Sequence, residues 1–256
     1  TPQVIRNDLR EGRFGLDEAS RAAQLWHVPV SVQSIDGGPT QNVLTDDNGR
    51  ATVAMPNCGP FVVNAEQSAY FRVQYQRATF EQLARDFARL GPADQLGLLY
   101  DARALGQGGL SPYSDFAELA RRTPVDADPV VWQLIADTLG GTAGLYGDMP
   151  GADRFKTFAR GLLNPVLARI GWDRTPGEAD NASVLRASLI GTLAGLDDPG
   201  VAAEARRRVA AGQIPAPSLR RRWPRSAIAP TRPPTTRFWR ARVPPPAQSR
   251  KTVTIA

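Results

Sequence analysis

The chain has 256 residues, 42% hydrophobic, enough for one large domain or two small ones. One cysteine, Cys58, excludes an internal disulfide, and no run of about 18 apolar residues is present to cross a membrane as a helix. The net charge of +6 is uneven: residues 214–256 hold ten Lys and Arg, nine Pro and no Asp or Glu, leaving 21 basic against 25 acidic residues in 1–213.

The folded part is therefore mildly acidic. The high isoelectric point, about 10.1, belongs to the tail and is no argument for a nucleic-acid partner. No secretory leader is legible, and the opening on Thr1 reads as processing or fragmentation. Cytoplasm and periplasm both stay open as compartments.

Residues 12 to about 77 read as strands. Val28, Val30 and Val32 alternate with Pro29 and Ser31, a period of two. Asp36-Gly37-Gly38-Pro39 breaks the chain, and Asp46-Asp47-Asn48-Gly49 predicts a hairpin turn before the strand Ala51–Met55. That turn resembles a calcium loop only in part, because Leu44 and Met55 stand where Asp and Glu are required. Phe61–Val63 and Tyr70–Tyr75 complete a small antiparallel β-sandwich.

At Thr79 the period becomes helical. Thr79 with Gln82 fits a capping box, and Phe80, Leu83, Ala84, Phe87 and Leu90 share one face. Gly91-Pro92 is a stop signal, and further helices are predicted from Pro92 through Leu105, from Ser111-Pro112 and from Asp128-Pro129. Phe155 to Ile170 carries a clear stripe that Pro165 should kink or split, and a last pair covers about 178–195 and 198–211. About seven helices with short connections mean antiparallel neighbours. The expected fold is mainly α: the small sandwich over 1–77, then an α-helical, helix-pair (solenoid-like) domain over 78–213. The proline-dense tail, 214–256, offers no apolar period and is expected to be disordered.

The run Val63-Asn64-Ala65-Glu66-Gln67-Ser68-Ala69-Tyr70-Phe71-Arg72-Val73-Gln74-Tyr75 resembles the "N-x-x-Q-x-G-Y-Y-R-V-x-Y" segment of the aminopeptidase N family of zinc metallo-aminopeptidases. Asn64, Gln67, Tyr70, Arg72, Val73 and Tyr75 match, whereas Ala69 replaces the usual glycine and Phe71 a tyrosine. Downstream, Asp94-Gln95 with Leu98-Leu99 and Asp101-Ala102 is similar to a helix of the same family, and Trp26 with Pro29-Val30 to a strand. The resemblance spans roughly 12–212. It implies a C-terminal sandwich and an incomplete helical domain. In the complete enzyme these would cover the active-site chamber, control peptide access and serve removal of N-terminal amino acids.

The resemblance also implies zinc in the complete enzyme, yet none in this chain. The family's metal helix needs two histidines four apart with a glutamate base beside the first. His27 is the sole histidine, so no catalytic or metal-ligating residue is assigned. The implied partners are peptide substrates and the missing catalytic domain.

Tyr70, Arg72 and Tyr75 are the candidate site residues, structural or peptide-contacting. Alternation puts Tyr70 and Arg72 on one sheet face, with Phe71, Val73 and Tyr75 on the other. Arg72 could grip a peptide carboxylate, or pair with an internal acid as an anchor between sandwich and helices. His27 reads as a surface or structural residue, Cys58 as a small packed side chain, Gly106–Gly109 as a helix connection, and Asp197-Asp198 as a cap.

In the tail, Arg220–Trp223 and Phe238–Arg240 mix cations with aromatics. The alternative reading is a stand-alone helical interaction module whose basic tail binds nucleic acid or anionic surfaces. The tail also has the texture of out-of-frame GC-rich codons. A domain lacking its last helices should expose a face such as the Leu185–Leu196 stripe and self-associate.

Overall fold

The computed structural model describes residues 5–14, 27–55, 59–147, 149–213 and 250–255; Cys58 and Trp26 lie outside them. The chain divides into two compact units, Thr1–Pro124 with Pro244–Ala256, and Val125–Val243.

The first unit opens with strands β1 (Ile5–Phe14), β2 (Pro29–Ser34), β3 (Gln41–Leu44), β4 (Arg50–Met55), β5 (Phe61–Val63) and β6 (Arg72–Gln74). A last strand, β7 (Arg250–Ile255), joins them from the chain's end. One sheet has the order β4-β1-β7-β6 and the other β3-β2-β5. Every pairing is antiparallel except β6 with β7, which run parallel with Val73 opposite Val253.

Val30, Val32, Val53, Met55, Phe61, Val63, Phe71 and Val73 come from both sheets and form one core. The period-two apolar pattern makes this possible, since alternate side chains of each strand face the opposite sheet. In β4 the alternation is complete: Ala51, Val53 and Met55 are buried while Arg50, Thr52 and Ala54 are exposed.

One expectation is corrected here. The Asp46–Gly49 turn is present, with Asp46 Oδ1 accepting from the Asn48 and Arg50 N–H groups at 2.8 and 2.9 Å. It is not a hairpin, however: β3 and β4 belong to different sheets, so the turn carries the chain across the sandwich. The Asx-type bonds fix the local bend, but they do not choose the pairing partner. The expectation for 214–256 falls mostly outside the described residues. Its last stretch, Arg250–Ile255, is a strand, in a segment rich in β-branched residues and free of proline.

Three helices finish this unit: α1 (Arg77–Arg85), α2 (Pro92–Gln107) and α3 (Ser114–Arg122). The capping box at Thr79 is a second correction at element level. Helix α1 begins two residues earlier, its N-cap is Gln76, and no side chain caps it. Pro92 does occupy the first turn of α2, where its missing N–H costs nothing. Gly109, at φ 69°, turns the chain out of α2 in a conformation that glycine adopts without steric penalty.

The second unit contains α4 (Pro129–Tyr146), α5 (Ala152–Ile170), α6 (Asp180–Gly195) and α7 (Pro199–Ala210). Asp128 and Asp198 cap α4 and α7, accepting from Val130 and Val201 N–H at 2.9 Å each. Pro165 lies inside α5 without splitting it. Ala159, Leu163, Val166 and Leu167 are buried along that helix, and this packing holds it together across the missing N–H.

The Leu185–Leu196 stripe is likewise not exposed: Leu185, Leu189, Leu193 and Leu196 are all buried. Helix α6 packs against α4, α5 and α7, and these neighbours cover its apolar face. A buried pair ties its first half down: Arg186 bonds both carboxylate oxygens of Glu178 and the carbonyls of Ile170 and Gly171. No helix among the described residues is long and apolar enough to cross a membrane.

Candidate functional site at the strand-to-helix junction

The segment from β5 to β6 turns sharply before it reaches the helices. Asn64, Glu66 and Gln67 all hold left-handed backbone, with φ of 60°, 58° and 54°. Non-glycine residues pay for this conformation, asparagine least, so surrounding bonds have to impose it. Asn64 supplies the first of them. Its side chain is buried, donates from Nδ2 to the Ala69 carbonyl and accepts from the Ala69 N–H, both at 2.8 Å.

Helix α2 supplies the rest through one stripe of side chains. Asp94 accepts from the Glu66 N–H at 2.7 Å. At Gly97 a Cβ would overlap the Gln67 side-chain amide, so the glycine is the socket into which Gln67 fits. Asp101 accepts from the Val73 N–H at 3.1 Å and from Arg72 Nη1 at 3.2 Å. Positions 94, 97 and 101 recur at helical spacing, so all three face the junction together. Gln95, also buried, donates to the Phe87 carbonyl at 3.1 Å and holds the start of the helix.

The three candidate residues are placed differently. Tyr70 is 75% exposed. Arg72 is half-buried and its guanidinium lies 6.0 Å from the Tyr100 ring centroid, while it bonds Asp101. Tyr75 turns to the other face, where its hydroxyl accepts from the Val63 N–H at 2.9 Å. Burial pushes the Tyr75 hydroxyl well above the usual phenol range, with the Val63 bond opposing. Tyr70 and Arg72 thus share a groove with Gln67, Ala69, Leu96 and Tyr100, and Tyr75 lies outside it.

Asp101 has an unusual setting. Burial pushes its carboxyl up to about 7, against the pull of the Arg72 charge and the Val73 N–H. Burial also raises Asp94, with the Glu66 N–H opposing. Neither acid stood out in the sequence as a site residue. The available signal was their spacing of seven, which places two carboxylates on one helix face.

The remaining candidates do not join this site. His27 is exposed, its Nδ1 bonded to the Thr45 carbonyl at 2.7 Å and its Nε2 3.2 Å from Asp47. Among the described residues no group of three or more His, Cys, Asp or Glu is placed to hold a metal ion. The junction's groups are backbone amides, a paired arginine and a buried acid, a set suited to fixing chain geometry.

Residues 60–233 match the sequence profile of the ERAP1-like C-terminal domain. The chain is 25% identical over 191 residues to "Aminopeptidase 2" of Candida albicans, covering 73% of this chain and 20% of that protein. It is 26% identical over 190 residues to "Tricorn protease-interacting factor F2" of Thermoplasma acidophilum, covering 74% of this chain and 23% of that protein. Against "Aminopeptidase M1-A" of Oryza sativa subsp. japonica the identity is 28% over 222 residues, with 80% and 25% covered. The chain therefore spans about a quarter or less of the length of these relatives.

Proposed function

Because the chain belongs to the ERAP1-like C-terminal domain family, the helical C-terminal part of aminopeptidases of N type, we propose that it is the non-catalytic portion of a zinc aminopeptidase. The observation that carries this reading is the family match across β5, the junction and all seven described helices. In the complete enzyme, the chain covers the chamber in which N-terminal amino acids are removed from peptides and limits which peptides enter. Tyr70, Arg72 and Tyr75 act there by fixing the junction between strands and helices. Zinc belongs to the catalytic domain, which is this chain's principal partner together with the peptide substrate.

The reading rests on chemistry as well as similarity. Hydrolysis at a catalytic zinc takes about three protein ligands and a polarised water. With one histidine, the chain lacks the two that the family's metal helix uses.

Assaying the isolated chain with added zinc on an alanyl chromogenic substrate tests this directly. The expected result is no turnover above the blank; chelator-sensitive turnover would refute the proposal. The access role has its own test. Adding the chain to a catalytic fragment of a related aminopeptidase should slow hydrolysis of long peptides more than of dipeptides. Equal effects on both would remove chamber control from the proposal.

A further inference from the structure

The Arg72–Asp101 pair joins β6 to α2 and also borders two cavities. On one side, Arg72 lines the groove that holds Tyr70, Leu96 and Tyr100. On the other, Asp101 lines a cavity with Gln74, Tyr75, Arg77, Leu105 and Asp115. Asp101 is almost fully buried, and Arg72 is its nearest cation, through one Nη1 bond of 3.2 Å. The second carboxylate oxygen is committed to the Val73 N–H.

The guanidinium therefore stands between two environments. Inward it meets a buried carboxylate, and outward it meets the face of an exposed tyrosine ring. We propose that Asp101 and Arg72 form a proton-linked latch: with Asp101 ionised, Arg72 is held to α2, and with Asp101 protonated, the guanidinium is released toward the Tyr70–Tyr100 groove. The bond from the Val73 N–H persists in both states, because a neutral carboxyl still offers a carbonyl oxygen. The protein thus keeps its fold while the charge presented at the groove changes.

The surroundings of Asp101 leave Arg72 as the group that responds. Tyr75 on the strand side is neutral at these pH values. Arg77 of α1 is engaged by Glu81 and Asp115, at 2.7 and 2.6 Å, and Asp115 of α3 is engaged by Arg77 in turn. Asp94, two turns away along the same stripe of α2, is bonded to the Glu66 N–H, and Glu66 is the charge that faces it. Burial pushes the Asp101 carboxyl up to about 7, and the Arg72 charge beside it is the main opposing influence.

Carbon and nitrogen NMR on the full chain tests the latch. The Asp101 carboxyl, the Val73 amide and the Arg72 Nε–H should move together in one step between about pH 6 and 8, where an ordinary aspartate titrates near 4. The Arg72 methylenes should gain a ring-current shift from Tyr100 on the acid side of that step. In Tyr100→Leu that shift should vanish while the Asp101 step remains. In Arg72→Gln the Asp101 midpoint should rise by about one unit or more. His27→Gln removes the only histidine and should leave the step unchanged. An Asp101 midpoint near 4, an Arg72 signal flat across the step, or loss of the step in His27→Gln overturns the proposal. The wild-type titration alone decides it if a variant fails to fold.

Discussion

Asn64 combines a left-handed backbone with a buried side chain bonded at both ends to Ala69. Replacing it by alanine removes both partners and leaves a strained backbone behind. Asn64→Ala should therefore cost about 1–3 kcal/mol in urea unfolding, the usual penalty for stranded buried polar groups. Gly97 is the complementary case. Its missing side chain is the space that Gln67 occupies, so Gly97→Val should destabilise by about 1–3 kcal/mol through overpacking. A stability unchanged within error would show that Gln67 can simply swing away. Asn64 falls in the run that resembles the aminopeptidase segment and Gly97 within the downstream helix similar to the same family, yet neither mechanism was legible there. The letters identify the segment; the φ values and the Gln67–Gly97 contact exist only once the chain has turned.

The helices of the second unit were far more legible. Caps at Asp128 and Asp198 and prolines in the first turn act through neighbours a few residues away, so the sequence displays the whole interaction. Asp198→Ala should cost about 1 kcal/mol for the lost cap, with a further loss because Asn164 Nδ2 donates to its second oxygen at 2.9 Å. The helix interior gives a larger prediction. Leu189 is fully buried on α6, and Leu189→Ala should cost about 2–5 kcal/mol, depending on how far α4 and α5 close the gap.

The Glu178–Arg186 pair adds a pH dependence. Its hydrogen bonds to Arg186 hold the Glu178 carboxyl down to about 2, from an ordinary value of 4.5. A depressed carboxylate contributes stability that is complete above the ordinary value and is lost as the pH falls toward the folded one. Thermal melts should thus fall between about pH 4.5 and 2, and the slope should be shallower in Glu178→Gln. Pro165 and the α6 stripe show the limit of element-level reasoning. Whether a proline splits a helix, and whether an apolar face is left bare, depends on which helices lie against it.

At the scale of the molecule, charge and chemistry separate along the chain. Residues 1–213 carry a slight acidic excess and the last part carries the cations. Deleting 214–256 should move the isoelectric point from about 10.1 to the acid side of neutrality, which isoelectric focusing measures directly. Strand β7 gives that deletion a second readout, since it lies between β1 and β6 in the sheet. Arg72 and Gln74, which pair with Thr252 and Thr254 of β7, should lose hydrogen-exchange protection when β7 is removed, while the Val73 N–H keeps its bond to Asp101; unchanged protection at Arg72 and Gln74 would show that β6 is held by α2 alone.

The sequence by itself determined the mainly helical class, the strands of 28–75 ahead of the helices, the cap at Asp198, the family and the lack of a two-histidine metal helix. Each of these depends on residue identity or on periodicity within about one helix or strand. Only the tertiary structure decided that β3 and β4 part to different sheets, that β6 pairs parallel with the chain's last strand, and that Arg72 meets Asp101. These contacts join positions far apart in the chain, and the residues on either side have no local pattern that names the partner. Closing such a loop and burying what lies inside it is a collective event. The spacing of Asp94, Gly97 and Asp101 becomes a grip on the junction only when the strand segment is folded onto that face.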